Sequence, residues 1–144
     1  MINPQDLVSK MKTQHSALQK DLALAMDLAS QELPNLGEKI LLSLTQFKRD
    51  LLEHLDLENG EFYPDYLSRQ DKRGVDLRST KEFIKEMDDI GVVVMGFLDK
   101  YSKSEAIKNN LNTFKTELNE IIGVLNTRIE TEEEGLFDLY LIIS

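Results

Sequence analysis

Along four segments of this chain the apolar residues recur in steps of three and four, a spacing that a helix gathers onto one face. The first stripe runs Leu7, Met11, His15, Leu18, Leu22, Met26 and Ala29, and the second Ile40, Leu44, Phe47, Leu51, His54 (or Leu55) and Glu58. The third runs Phe83, Met87, Ile90, Val94, Phe97 or Leu98, and Tyr101. The fourth and most regular runs Ile107, Leu111, Phe114, Leu118, Ile121, Leu125, Arg128 and Glu132.

The boundaries have their own signals. Asn3-Pro4 offers a capping side chain followed by a proline in the first turn, and Pro34 and Gly37 close the first helix. Asn59-Gly60 weakens the second helix and Pro64 predicts a kink or restart, with 61–69 continuing as helix. The polar stretch 69–78 is the next connection. Ser79-Thr80-Lys81-Glu82 and Ser102-Lys103-Ser104-Glu105 read as capping boxes that start the third and fourth helices. Val92-Val93-Val94 has strand character, but the periodicity on both sides predicts helix. The end, Leu136 to Ile143, predicts a helical extension that packs over the end of the bundle or forms an interface.

Four amphipathic helices of roughly 20 to 30 residues, joined by short turns, predict an all-α, up-down-up-down four-helix bundle with helices on the order of 30 to 45 Å long. A single domain over residues 1–144 is expected.

Charge and composition narrow the function. A formal net charge of −9 disfavours nucleic-acid binding, which needs a basic stripe, and suits a solvated surface or a partner with a basic face. Cysteine is absent, which excludes thiolate metal sites and cysteine nucleophiles. The N-terminus has no apolar signal-peptide core, and no window approaches a membrane span, so a cytoplasmic location without membrane attachment is expected. No nucleophile is placed beside a base and no glycine-rich phosphate loop occurs, so no enzymatic activity is expected.

Five polar residues fall on the stripes: His15, His54, Glu58, Arg128 and Glu132. They belong to an internal repeat. His54-Leu55-x-x-Glu58-x-x-x-Phe62-Tyr63-x-x-Tyr66-Leu67 aligns with Arg128-Ile129-x-x-Glu132-x-x-x-Leu136-Phe137-x-x-Tyr140-Leu141. A histidine and a glutamate four apart share a helix face and both can ligate a metal, whereas arginine brings its own positive charge. Burying a carboxylate without a partner costs several kcal/mol, roughly, which leaves two solutions. His15, His54, Glu58 and Glu132 converge on a divalent cation such as iron, manganese or zinc, or Arg128 forks onto Glu58 or Glu132 in a metal-free cluster. Of the charged run Glu130, Glu132, Glu133 and Glu134, all but Glu132 are expected in solvent.

His15, the His54-x-x-x-Glu58 pair and the Phe62-Tyr63-Pro64 end together resemble the hemerythrin-like (HHE cation-binding) domain over nearly the whole chain. The resemblance implies a metal site, usually iron, with His15, His54, Glu58 and Glu132 as ligands. That family's di-iron site is completed by a histidine on the third helix and a second histidine-x-x-x-carboxylate on the fourth. Here no histidine lies between Gly60 and Arg128, and Arg128 stands in the fourth-helix place. The implied role is therefore metal handling or oxygen or redox sensing with an altered site, rather than oxygen transport. The segments Leu44 to Leu67 and Leu118 to Leu141 are also similar, more diffusely, to the regulator of sigma D family. That similarity implies a metal-free bundle acting on a protein partner as an anti-sigma-type regulator, with Leu136 to Ile143 as a candidate contact or homodimer surface.

Overall fold

A computed structural model describes residues 2–144. Asn3 caps the first helix as its sequence predicts: its Oδ1 accepts the Asp6 amide at 2.9 Å, and Pro4 stands in the first turn. Helix α1 spans Pro4–Ala29 and α2 spans Leu36–Leu57. Between them Asn35 takes the left-handed conformation at φ 56°, which asparagine tolerates better than most residues. Gly37 follows for a different reason. A Cβ there would stand 2.5 Å from the Ser104 carbonyl oxygen, so the backbones pack too closely for any side chain.

Asn59-Gly60 and Pro64 do not break the second rod. It widens instead into a π turn over Glu58–Phe62, closed by the Tyr63 amide on the Glu58 carbonyl, and continues as α3 over Tyr63–Lys72. Pro64 is tolerated because it sits at the start of α3, where its missing amide breaks no established ladder. The same device recurs in the last rod. Helix α6 (Leu111–Thr131) passes through a π turn over Glu132–Leu136 into α7 (Phe137–Ile143), and the Phe137 amide bonds the Glu132 carbonyl. Each of the two core glutamates opens a π turn.

The third rod is α4, Arg78–Lys100, with Val92 and Val93 exposed on a regular helix and Val94 buried, so strand character loses to periodicity. Neither serine-led box caps its helix. Helix α4 starts before Ser79, where the Asp76 carboxylate accepts the Arg78 amide at 3.0 Å. Lys103 rather than Ser102 precedes the short helix α5, Ser104–Asn109. Asn110, at φ −132°, then separates α5 from α6, so the regular fourth stripe crosses a break.

Four long rods thus form an all-α bundle, and its apolar interior is in two parts. One cluster includes Leu18, Leu22, Phe47, Leu51, Phe97, Phe114, Leu118 and Leu125. The other holds Leu7, Met11, Phe62, Tyr63, Tyr66, Phe137 and Tyr140. Each fully buried side chain of this size contributes about 1.5–3 kcal/mol of transfer free energy. On α1, α2, α6 and the two π turns the buried polar residues His15, His54, Glu58, Arg128 and Glu132 lie between the two clusters. Among the described residues no helix is long and apolar enough to cross a membrane.

Candidate metal centre

His15, His54, Glu58 and Glu132 point inward as their places on the stripes predict, and Arg128, whose head could equally have reached water, is buried with them. His15, His54, Glu58, Arg128 and Glu132 are each no more than 5% exposed. One ligand atom each from His15, His54, Glu58 and Glu132 lies within 4.8 Å of the other three. The two imidazoles meet edge to face, with ring centroids 4.7 Å apart, and Phe137 stacks against His15 at 5.7 Å. The π turns matter here, because they hold Glu58 and Glu132 on the inner face at the point where each rod changes phase.

Each imidazole is held by its outer nitrogen. His54 Nδ1 lies 2.8 Å from Gln14 Oε1, and His15 Nδ1 lies 2.7 Å from Glu133 Oε2. Gln14 Oε1 and the Glu133 carboxylate are acceptors, so each Nδ1 carries the proton and donates. That leaves the inner nitrogens, when the rings are neutral, as lone-pair donors. These Nε2 atoms approach the carboxylates closely: His54 to Glu58 Oε2 at 2.7 Å, and His15 to Glu132 Oε2 at 3.0 Å. Yet Glu58 Oε1, Glu58 Oε2 and Glu132 Oε2 are buried without a well-aligned hydrogen bond. One atom each from two imidazoles and two carboxylates thus meets in one small volume, a nitrogen and oxygen donor set suited to a divalent transition ion. The residues present fit such an ion.

Arg128 answers the second reading in part. It does not snorkel to water, and it pairs with Glu132 rather than Glu58, through a single hydrogen bond. Its Nε donates to Glu132 Oε1 at 3.2 Å, and its Nη2 donates to the Tyr63 hydroxyl at 2.9 Å and the Phe83 carbonyl at 2.8 Å. The guanidinium carbon stands 3.1 Å from the centre of the Phe83 ring, a close cation–π contact. Glu86, 70% exposed, approaches Nη1 at 3.8 Å from the surface, and Glu82 is exposed too, so neither turns inward as a ligand.

Burial opposes both ionised forms in this layer, and the neighbouring charges outweigh it. For His15 burial disfavours the imidazolium, but Glu132 and Glu133 raise its pKa above the ordinary value. For Glu58 burial disfavours the carboxylate, but the His54 imidazole, the Tyr63 hydroxyl and the Arg128 charge hold it below the usual carboxylate range. Burial, then the charges of Glu58 and Glu132, push the Tyr63 hydroxyl up.

Sequence reasoning missed three participants. Glu133 was expected in solvent, yet it holds His15 with a side chain only a third exposed, because the π turn swings it sideways from Glu132. Gln14 lies beside the first stripe, and its adjacency to a core histidine was the available signal. Phe83 enters through its carbonyl and ring face, which no sequence pattern announces. The C-terminal extension does pack over the bundle end through Phe137 and Tyr140, while Leu139 and Ile142 stay exposed.

No curated protein and no solved structure matches the chain. A family model, the hemerythrin HHE cation binding domain, matches residues 6–140, a span that contains both histidines, both core glutamates and Arg128. With this match added to the bundle and its buried histidine–glutamate cluster, the chain belongs to the hemerythrin HHE cation-binding domain family.

Proposed function

We propose that the chain is a cation-binding protein with an altered ligand set, taking an iron-type divalent ion on His15, His54, Glu58 and Glu132. Its role on this reading is metal handling or sensing rather than oxygen transport, and no catalytic step is assigned to it. The observation that carries the reading is the set of orphaned oxygens on Glu58 and Glu132 beside two inner imidazole nitrogens. Buried carboxylates without donors are costly, and a cation in that volume would satisfy them. Both imidazoles are already oriented, since Gln14 and Glu133 hold their outer nitrogens. A bound metal supplies Lewis acidity and, for iron, access to two oxidation states.

The test is elemental analysis of protein purified without chelator, with thermal unfolding before and after chelation. A bound transition metal is expected, with a midpoint several degrees lower after its removal, since a ligand at 100 times its Kd adds about 2.7 kcal/mol. Glu58→Gln is the control and is expected to lose the metal. Metal-free protein whose stability ignores both chelator and added metal would sink the reading.

A second reading has one observation of its own. Leu139 and Ile142 stand exposed on α7, at 53% and 74%, and would suit a protein partner or a second copy of this chain. Leu139→Glu with Ile142→Glu should leave metal content unchanged, and any association seen by light scattering should disappear.

A further inference from the structure

The internal repeat gives the pocket two halves, one presenting His54 and Glu58 and the other Arg128 and Glu132. Glu132 joins them. Its Oε1 accepts from Arg128 Nε at 3.2 Å, while its Oε2, without a hydrogen bond, faces His15 Nε2 at 3.0 Å. A carboxylate placed in this way spans two cationic positions, one of them filled by a side chain.

We infer that the Arg128 guanidinium is a permanent second cation, so that the pocket takes one divalent metal ion and has no place for another. This rests on the cation-binding reading above and specifies its stoichiometry. Three further observations support it. First, the guanidinium cannot be displaced cheaply: Glu132, the Tyr63 hydroxyl and the Phe83 carbonyl all hold it, and the Phe83 ring covers its face. Second, its half of the pocket offers no carboxylate beyond Glu132, since Glu86 and Glu82 stay exposed. Third, charge closes at one ion. Glu58, Glu132 and Glu133 set against Arg128 leave an excess of two negative charges, which a single divalent ion cancels. A second divalent ion would leave the layer strongly positive, and buried charge of one sign is expensive.

The guanidinium differs from a metal in one consequential way. It neutralises Glu132 and fixes its orientation but has no open coordination position, so the pair is half metal and half organic. The geometry that would let two metals share a bound molecule is absent.

Titration of the full chain with Co(II), followed by its visible absorption and by elemental analysis after desalting, tests this. The native chain is expected to saturate at one Co(II). Arg128→His, which exchanges the cation for a nitrogen ligand, is expected to saturate at two. Arg128→Lys keeps a positive charge and is expected to remain at one, which keeps the test decisive if the histidine variant does not fold. Two Co(II) in the native chain would overturn the inference while leaving the cation-binding reading intact. Two in Arg128→Lys, or one in a folded Arg128→His, would show that something other than the guanidinium limits the site. No Co(II) in the native chain would overturn the underlying reading itself.

Discussion

His54–Phe62 and Arg128–Leu136 are built on the same frame, an α-helix that opens into a π turn at a buried glutamate and leads to an aromatic cluster. They differ in how the glutamate is treated. Glu58 has an imidazole at 2.7 Å and two oxygens without hydrogen bonds, whereas Glu132 has one oxygen tied to a guanidinium and only the other unpaired. The same backbone thus makes one half with two unpaired carboxylate oxygens and one half that carries its own cation. On one shared backbone geometry, an imidazole at one position and a guanidinium at its counterpart give the neighbouring glutamate different partners.

The largest effect should come from breaking the half that is already paired. In chelator-treated protein Arg128→Ala leaves Glu132 buried without its charge partner and the Tyr63 hydroxyl oxygen without its donor, at an expected cost of about 3–5 kcal/mol. That corresponds to a fall of roughly 10 °C in Tm. His54→Ala under the same conditions should cost less, about 1–2 kcal/mol, since the imidazole it removes makes a single hydrogen bond, to Gln14. Thermal unfolding of both variants compares the halves directly. Equal losses would mean that the two strips do not differ in the way their contacts imply.

Smaller effects should follow from the groups that aim the imidazoles. Gln14→Met keeps the length of the side chain and removes the acceptor for His54 Nδ1, so Co(II) affinity should fall about 10-fold or more. Glu133→Gln should fall less, because that carboxylate is partly in water and the amide oxygen still accepts from His15. Competition against a coloured chelator gives both numbers. A larger loss at Glu133 would place His15, not His54, as the better-oriented ligand.

The smallest effect lies outside the layer, at a carboxylate that faces another carboxylate rather than a cation. Asp21 Oδ2 is buried without a donor. Burial first, and then the facing Asp50 carboxyl, push the Asp21 carboxyl up to about 7. The folded chain therefore keeps a proton that the unfolded chain releases near pH 4. This contribution to stability is fully present below about pH 4 and is lost as the pH rises to about 7. Asp21→Asn should remove the loss, raising stability at pH 8 by about 1 kcal/mol, roughly 3 °C, with no gain at pH 4. Urea unfolding of native protein and variant across that range supplies the comparison. A gain that is the same at pH 4 and pH 8 would assign the effect to packing.

The fold was largely legible because its signal is periodic and long-range order follows from it. Leu7 to Ala29 and Ile40 to Glu58 need only a period of 3.6 and short turns to become paired rods, and the burial of His15 and Glu58 follows from their place on those stripes. The sequence was less informative where a side chain has several equivalent uses. Ser79 and Ser102 occupy plausible capping positions, yet Asp76 and Lys103 sit at the helix starts, since a box motif is satisfied by any local serine and glutamate. Arg128 was recognised as decisive, but its attachment to Phe83 depends on the distance between two helices, which no local pattern contains.

The two π turns carry a further consequence. Glu132 and Phe137 are five residues apart, and on a regular α-helix they would face directions about 140° apart. Both are nevertheless buried, one in the polar layer and the other in the aromatic cluster. The widened turn acts as a phase shifter that lets one rod serve two interiors in succession. Each such turn contains a glycine, Gly60 in one and Gly135 in the other, and neither glycine's Cβ position is crowded. Substitution there is sterically open, while removal of either residue would rotate everything downstream by about 100°. The spacing between glutamate and aromatic is thus fixed more strictly than the identity of the residues that fill it.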